Sequence, residues 1–327
     1  MPNAVIVVGK SHENVHMTAA KFAALWAENN GYTPYFINTA AVEDHNVLKY
    51  HMQQNEPELL ITFDCAGFNL RLLGGDLFYN SLCCPALHIL FDRTVFYEGA
   101  LSERMNFITK IITLGKEDAE YAIQNYKRVP DASVLDVDAY FGDNYTMVNP
   151  VNKSIDILIP DSLIPKDYVM EEINRILSHE EQKMCCKIID YFHNCPEHNI
   201  YEEFGTGVLE KNTRPVSLAH KYLHMERLER IAGAFINDGI PFWAPGDGWR
   251  EVFTKPGTGN FMHFDSYDTD QRFELLKLSK TVIDVHPERP DINTVTSILA
   301  KFTKTYAIES VDWNLNCLYK DISEALS

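Results

Sequence analysis

The sequence predicts an α/β protein organised as two domains. Three observations carry that expectation. Short apolar runs alternate with helix-like stretches, the pattern of a parallel sheet covered on both faces. The rhythm breaks at residues 140–153, where Gly, Asn and Pro gather, and then restarts. At 327 residues the chain is long enough for two domains of ordinary size. The boundaries expected are 1–145 for the first domain and 154–327 for the second.

The elements follow in order. Ala4-Val5-Ile6-Val7-Val8 reads as a buried parallel strand, ending in Gly9-Lys10-Ser11-His12 before a helix to about Asn30. Tyr32 to Ile37 is the next strand, and Val47 to Gln54 a helix. Glu58 to Phe63 is a third strand, followed by Asp64, Gly67 and Asn69. Pro85 to Phe91 is a fourth, followed by Asp92 and Arg93. Phe107 to Leu114, a helix around Lys116 to Tyr126, and Ala132 to Leu135 complete the first half. In the second half, Ser154 to Pro160 is a strand and Lys166 to His193 a long helical region. A less regular stretch, 195–220, leads to a helix over 222–237. Ile240 to Ala244 is a strand ending at Pro245-Gly246-Asp247-Gly248-Trp249, and Gly259 to Phe264 is another. A helix over Thr269–Leu278 feeds a strand over Thr281–Val285. Trp313, Leu315, Leu318 and Ile322 have the spacing of one buried helical face.

Composition narrows the function classes. The formal net charge is −17, which argues against a general nucleic-acid or anionic-membrane binder, since both need basic surface. No apolar run approaches the ~20 residues of a membrane span. The seven cysteines include two adjacent pairs and no Cys-x-x-Cys, so reduced thiols, a cytoplasmic setting and no metal cluster are expected.

Candidate site residues stand after the strands, where ligands bind in open α/β sheets. Gly9, Lys10, Ser11 and His12 precede a helix N-terminus, whose free N–H groups attract anions. They do not form a P-loop, because its upstream glycine is absent and Val5 to Val8 fill the gap before Gly9. A strand-to-helix turn explains Gly9 equally well. Asp64 or Asp92 could act as general base for a hydroxyl, with His12 nearby on the same edge. Arg93 could hold a phosphate or carboxylate, and Asn69 could join it. A salt bridge with helix caps is the competing explanation. Gly246, Asp247, Gly248 and Trp249 either let a ligand approach the backbone closely or make a tight turn with the indole in the core. His286, Glu288, Arg289 and Asn293 cluster beyond the last buried strand. There Glu288 could take ribose hydroxyls and Arg289 a diphosphate. His193, Cys195 and His198 lack zinc spacing. No G-x-S-x-G elbow supports a serine hydrolase.

The ordered series "PELLITFDCAGFNL", "YNSLCCPALHILFDR", "IITLGKEDAEYAIQNYKRV", "IDILIP", "RLERIAGAFINDGIPFWAPGDGW" and "ELLKLSKTVIDVHP" resembles the glycosyltransferase-like proteins related to spore maturation protein B. The resemblance spans roughly residues 57 to 287. It implies the GT-B class: two Rossmann-like domains facing a cleft, an acceptor-side domain first and a nucleotide-sugar-side domain second. It implies a nucleotide-sugar donor as substrate, an acceptor hydroxyl and no metal cofactor, since helix N-termini and basic side chains can stabilise a leaving diphosphate. By this reading the catalytic candidates are Asp64, Asp92 and His12. At the end of this series the chain departs from the family pattern, and the donor-gripping motif expected after Asp291 is not evident. Asp284 stands where the pattern has Asn, and Leu299-Ala300-Lys301-Phe302 replaces a small-residue stretch. That departure implies the alternative: a non-catalytic relative that binds a nucleotide, a sugar or a partner protein. A two-lobed binding module of the periplasmic kind is a third, more distant reading.

Overall fold

A computed structural model describes residues 1–9, 13–39, 57–68, 83–102, 109–136, 153–195, 200–253, 261–264, 269–285, 305–310 and 315–326, with 296, 300 and 303 singly. The chain divides into two compact units, Met1–Tyr145 and Thr146–Ser327. The expected helix over Val47–Gln54 lies outside the described residues.

The first unit runs β1 (Asn3–Val8), α1 (Glu13–Asn29), β2 (Thr33–Asn38), β3 (Leu59–Phe63), β4 (Ala86–Leu90), a 3-10 turn (Thr94–Tyr97), α2 (Glu98–Leu101), β5 (Thr109–Thr113), α3 (Lys116–Asn125) and β6 (Asp131–Val134). The strands form a six-stranded parallel sheet in the order β2-β1-β3-β4-β5-β6. All five residues of Ala4–Val8 are buried, as are all five of β3. Continuous apolar runs of this kind fit strands covered on both faces. The chain leaves β1 toward β2 on one side and returns to β3 on the other. The crevice of this sheet therefore opens between the C-terminal ends of β1 and β3.

His88, in the middle of β4, is a buried titratable group in this core. It is 1% exposed, its Nδ1 lies 2.6 Å from the Thr62 hydroxyl, and burial pushes it down to about 3 from an ordinary value of 6.5. The folded chain keeps it neutral while the unfolded chain protonates it. The unfolded state thus binds more protons between about pH 6.5 and pH 3, and stability falls as pH drops through that window. At 1.36 kcal/mol per unit, this one group removes about 2 kcal/mol by pH 5. Urea unfolding of the intact chain at pH 7 and pH 5, compared with His88→Gln, checks it. The variant should lose about 2 kcal/mol less on acidification, and an equal loss in both chains refutes the assignment.

The second unit runs β7 (Ile155–Leu158), α4 (Lys166–Ile176), α5 (His179–Asn194), α6 (Ile200–Phe204), α7 (Thr206–Lys211), α8 (Thr213–Asp238), β8 (Phe242–Pro245), α9 (Trp249–Val252), β9 (Phe261–Phe264), α10 (Thr269–Leu278), β10 (Ser279–Val285), β11 (Tyr306–Ser310) and α11 (Leu315–Leu326). The sheet is parallel in the order β11-β10-β7-β8-β9. Counted from the unit's own first strand this is 3-2-1-4-5, the order of nucleotide-binding Rossmann sheets. Its crevice opens between the ends of β7 and β10.

Three elements differ from the sequence expectation. The region 166–193 is two helices, because Ser178 and Glu181 form a capping box that starts α5: Ser178 N donates to Glu181 Oε2 at 2.8 Å and Glu181 N to Ser178 Oγ at 3.4 Å. The stretch 195–220 is largely helical where it is described, and α8 begins at Thr213 rather than 222. Pro215 sits in its first turn, where a missing N–H is harmless. The long helix stops at Gly239, left-handed at φ 71°, with Ile240 N donating to Phe235 O at 2.8 Å. Finally, Tyr306–Ser310 is an edge strand beside β10, which the sequence reading did not place. In α11, Leu318 and Ile322 are buried as expected.

Candidate functional site

The C-terminal edge of the first sheet collects Gly9 after β1, Asp64 after β3 and Asp92 after β4. Gly9 is buried. Lys10, Ser11, His12 and Asn69 lie outside the described residues. Asp64 and Cys65 both adopt left-handed backbone, at φ 50° and 53°, and Gly67 follows at φ 82°. Two consecutive non-glycine residues in that region are uncommon. The turn is held by Ala66 N to Phe63 O at 2.9 Å and Phe68 N to Cys65 O at 3.1 Å. Asp64 also ties β3 to β4: its N–H donates to Ile89 O at 2.8 Å, and its Oδ1 accepts from Phe91 N at 2.8 Å. Phe63 and Phe91 stack beneath, 5.7 Å between centroids.

Asp92 is exposed, and its Oδ2 accepts from the Tyr97 hydroxyl at 3.5 Å. Burial pushes the Tyr97 phenol far above its ordinary value of 10; the charge of Asp64, the charge of Asp92 and a hydrogen bond to Asp64 push it further. Tyr97 is therefore a neutral hydroxyl placed between two carboxylates. It was not among the residues singled out from sequence. The available signal was a phenol five positions after the strand-end Asp92.

Arg93 is not an anion site. Its side chain is 4% exposed, and its guanidinium donates to Glu117 Oε1 at 2.7 Å, with Asp118 Oδ2 at 3.8 Å. Asp118 also takes Thr94 N at 2.8 Å and, through its carbonyl, Thr94 Oγ1 at 3.1 Å. The salt bridge with caps is what the structure shows. The acidic pair lies in the first turn of α3, where the helix dipole favours negative charge.

In the second unit the glycines serve the backbone. Gly248 has φ 85°, and a Cβ there would stand 1.7 Å from Leu163 O; at Gly246, φ 116°, it would stand 2.7 Å from Ser162 Oγ. The chain after β7 fills the space that a ligand was expected to use. Leu163 N donates to Asp247 O at 2.9 Å, and Trp249 Nε1 to Asp161 O at 2.8 Å. Trp249 is fully buried against Phe242 and Phe253, so it is core and offers no face to a base. Asp247 remains exposed. His286, Glu288, Arg289 and Asn293 lie outside the described residues.

At the β7 end of this crevice the described residues include Asp161, Ser162 and His224. Asp161 Oδ2 lies 3.9 Å from His224 Nε2, and each side chain is about a fifth exposed. Neither Asp161 nor His224 was selected from sequence, although Asp161 directly follows "IDILIP". The N-terminus of α4 is occupied from within: Lys166 N donates to Glu229 Oε1 at 2.7 Å, and Lys166 Nζ lies 3.3 Å from Glu226 Oε1. Burial pushes the Glu229 carboxyl up, with the Lys166 hydrogen bond and charge opposing it.

No model of a known protein family matches the chain, and no curated protein matches it. Among the described residues, no group of three or more His, Cys, Asp or Glu side chains could hold a metal ion. No helix among them is long and apolar enough to cross a membrane.

Proposed function

We propose that the chain is a glycosyltransferase of the GT-B kind, similar to the relatives of spore maturation protein B, which moves a sugar from a nucleotide-sugar donor to an acceptor hydroxyl. The observation that supports it best is the pairing of two doubly wound parallel units, each with a crevice at the strand order's reversal point. The first of them presents Asp64 and Asp92 on that edge. The first unit takes the acceptor. The second, with the dinucleotide-type strand order, takes the donor near Asp161 and Asp247 and the segment carrying His286, Glu288, Arg289 and Asn293. Trp249 and Arg93 drop out of the ligand-contacting set. In the reaction a strand-end carboxylate takes the acceptor's hydroxyl proton. The acceptor oxygen bonds to the anomeric carbon, and the bond from that carbon to the phosphate oxygen breaks. The nucleoside diphosphate leaves with the electron pair, and the proton passes from the carboxylate to water. The setting proposed is cytoplasmic, with reduced thiols.

A second reading has one specific observation in its favour. The α4 N-terminus, where a donor diphosphate would gain most, already holds the Glu229 carboxylate. A non-catalytic relative that binds a nucleotide, a sugar or a partner protein would tolerate that.

Thermal unfolding against a panel of nucleotides and nucleotide sugars comes first. A ligand at ~100 times its dissociation constant adds about 2.7 kcal/mol to the folded state. A shift with one nucleotide family, followed by sugar transfer, is the expected result. A shift without transfer selects the second reading, and no shift with any member removes the nucleotide-sugar donor.

A further inference from the structure

The segment after β7 is fixed from two sides, and one pair of side chains stands where it is fixed. Trp249 Nε1 donates to Asp161 O at 2.8 Å, and Leu163 N to Asp247 O at 2.9 Å. Ile164 N donates to Met225 Sδ at 3.2 Å, and Lys166 N to Glu229 Oε1 at 2.7 Å. The segment is thereby tied to the end of β8 on one side and to the middle of α8 on the other. His224 directly precedes Met225 on that helix, and its Nε2 lies 3.9 Å from Asp161 Oδ2. At that distance the two attract as charges but are too far apart for a hydrogen bond. The bonds around them hold this separation without closing it. Each side chain is about a fifth exposed, so a small ligand can reach both. The pair stands at the C-terminal end of β7, on the crevice where the strand order reverses.

Such a pair offers a ligand one donor and one acceptor. An imidazole N–H donates to a phosphate oxygen, while an ionised carboxylate only accepts, here from a hydroxyl. A phosphate with no hydroxyl would meet the imidazole and be repelled by the carboxylate. The α4 N-terminus, at the end of the same segment, is not open to a phosphate, because Glu229 already occupies it. A phosphate arriving at β7 therefore needs a side chain. We propose that Asp161 and His224 form a binding site for a hydroxyl-bearing phosphate ester, a nucleotide or a sugar phosphate: His224 takes a phosphate oxygen and Asp161 takes a hydroxyl of the same ligand. Equating that ligand with part of a glycosyl donor rests on the transferase reading; the site itself does not.

Isothermal titration calorimetry of the full chain tests it with three kinds of probe: the common nucleoside diphosphates, α-glucose 1-phosphate and inorganic pyrophosphate. At least one hydroxyl-bearing probe should bind. A nucleoside diphosphate that binds where glucose 1-phosphate does not assigns a nucleotide to the site, and the reverse assigns a sugar phosphate. His224→Gln should weaken the bound probe by at least about tenfold, the scale of a hydrogen bond to a charged group. His224→Arg should restore most of that loss, since a guanidinium also donates to phosphate. Asp161→Asn should divide the probes: the hydroxyl-bearing ligand weakens by about tenfold, while pyrophosphate tightens because the repelling charge is gone. Asparagine keeps the backbone carbonyl that accepts from Trp249, so the segment stays in place. A merely structural role would move both probes in the same direction and would not be restored by arginine. Either of those results, unchanged binding in His224→Gln, or no binding of any phosphate ester overturns the site. The transferase reading fails separately. If the variants behave as stated but no nucleotide sugar is turned over, the site stands and the transferase falls. If sugar is transferred while both substitutions bind like wild type, the site falls and the transferase stands.

Discussion

Gly248→Ala is expected to prevent stable folding of the second unit, with a loss above about 4 kcal/mol. Two mechanisms coincide at this position. The backbone stands at φ 85°, in the region that L side chains avoid, and the added Cβ would meet the Leu163 carbonyl oxygen at 1.7 Å. The obstacle is backbone rather than the end of a flexible side chain, so relief requires the two loops to part. Parting them breaks the Leu163 N to Asp247 O bond and pulls the fully buried Trp249 off Asp161 O. The ladder beneath is thin: β7 and β8 share the single register pair Leu158↔Trp243, extended by Ile159 N to Trp243 O at 2.9 Å. The loop bonds therefore carry much of the join between those strands. Gly31→Ala is the control, with φ 82° and nothing within 4 Å of the added atom. It should lose only the backbone term, about 1–2 kcal/mol. Circular dichroism and urea unfolding of both variants decide the matter. Near-equal losses would show that the loops can separate cheaply.

This result also explains what sequence could and could not supply. Strands such as Ala4–Val8, Leu59–Phe63 and Ile155–Leu158 were legible because a strand buried on both faces must be a continuous apolar run. Strand order was not, since it is fixed by packing between segments far apart in sequence. It is the order that locates the two crevices. The edge strand Tyr306–Ser310 escaped notice for a related reason. Among the described residues it pairs only with β10, and its hydrophobic run, Tyr306 to Ile308, is short and begins with a tyrosine at 56% exposure. At the site, Asp64 and Asp92 were legible as strand-end carboxylates. The fates of Arg93 and Trp249 were not, because a charge or an indole after a strand reads alike whether it meets a ligand or its own fold. The clue for Arg93 lay in the chain 24 residues on, in the adjacent acids Glu117 and Asp118 at the start of a helix. Gly246 and Gly248 were read either as room for a ligand against the backbone or as a tight turn with the indole in the core. The chain after β7 approaches both of them closely.

Arg93→Met is expected to lose about 3–5 kcal/mol, the scale of breaking a buried ion pair from one side. Methionine fills much of the volume, so the loss measures charge. Glu117 and Asp118 would remain buried, at 6% and 5% exposure, with the cation gone. The α3 N-terminus offsets part of their charge, which places the expectation toward the lower end of that range. A second substitution identifies the cause: Glu117→Gln added to Arg93→Met should recover part of the loss, because the remaining group no longer carries a stranded charge. Had Arg93 held a ligand phosphate instead, Arg93→Met would leave the unliganded protein nearly as stable as before and would weaken binding alone. The two accounts thus predict opposite outcomes in the absence of any nucleotide. Urea unfolding of the ligand-free chain distinguishes them.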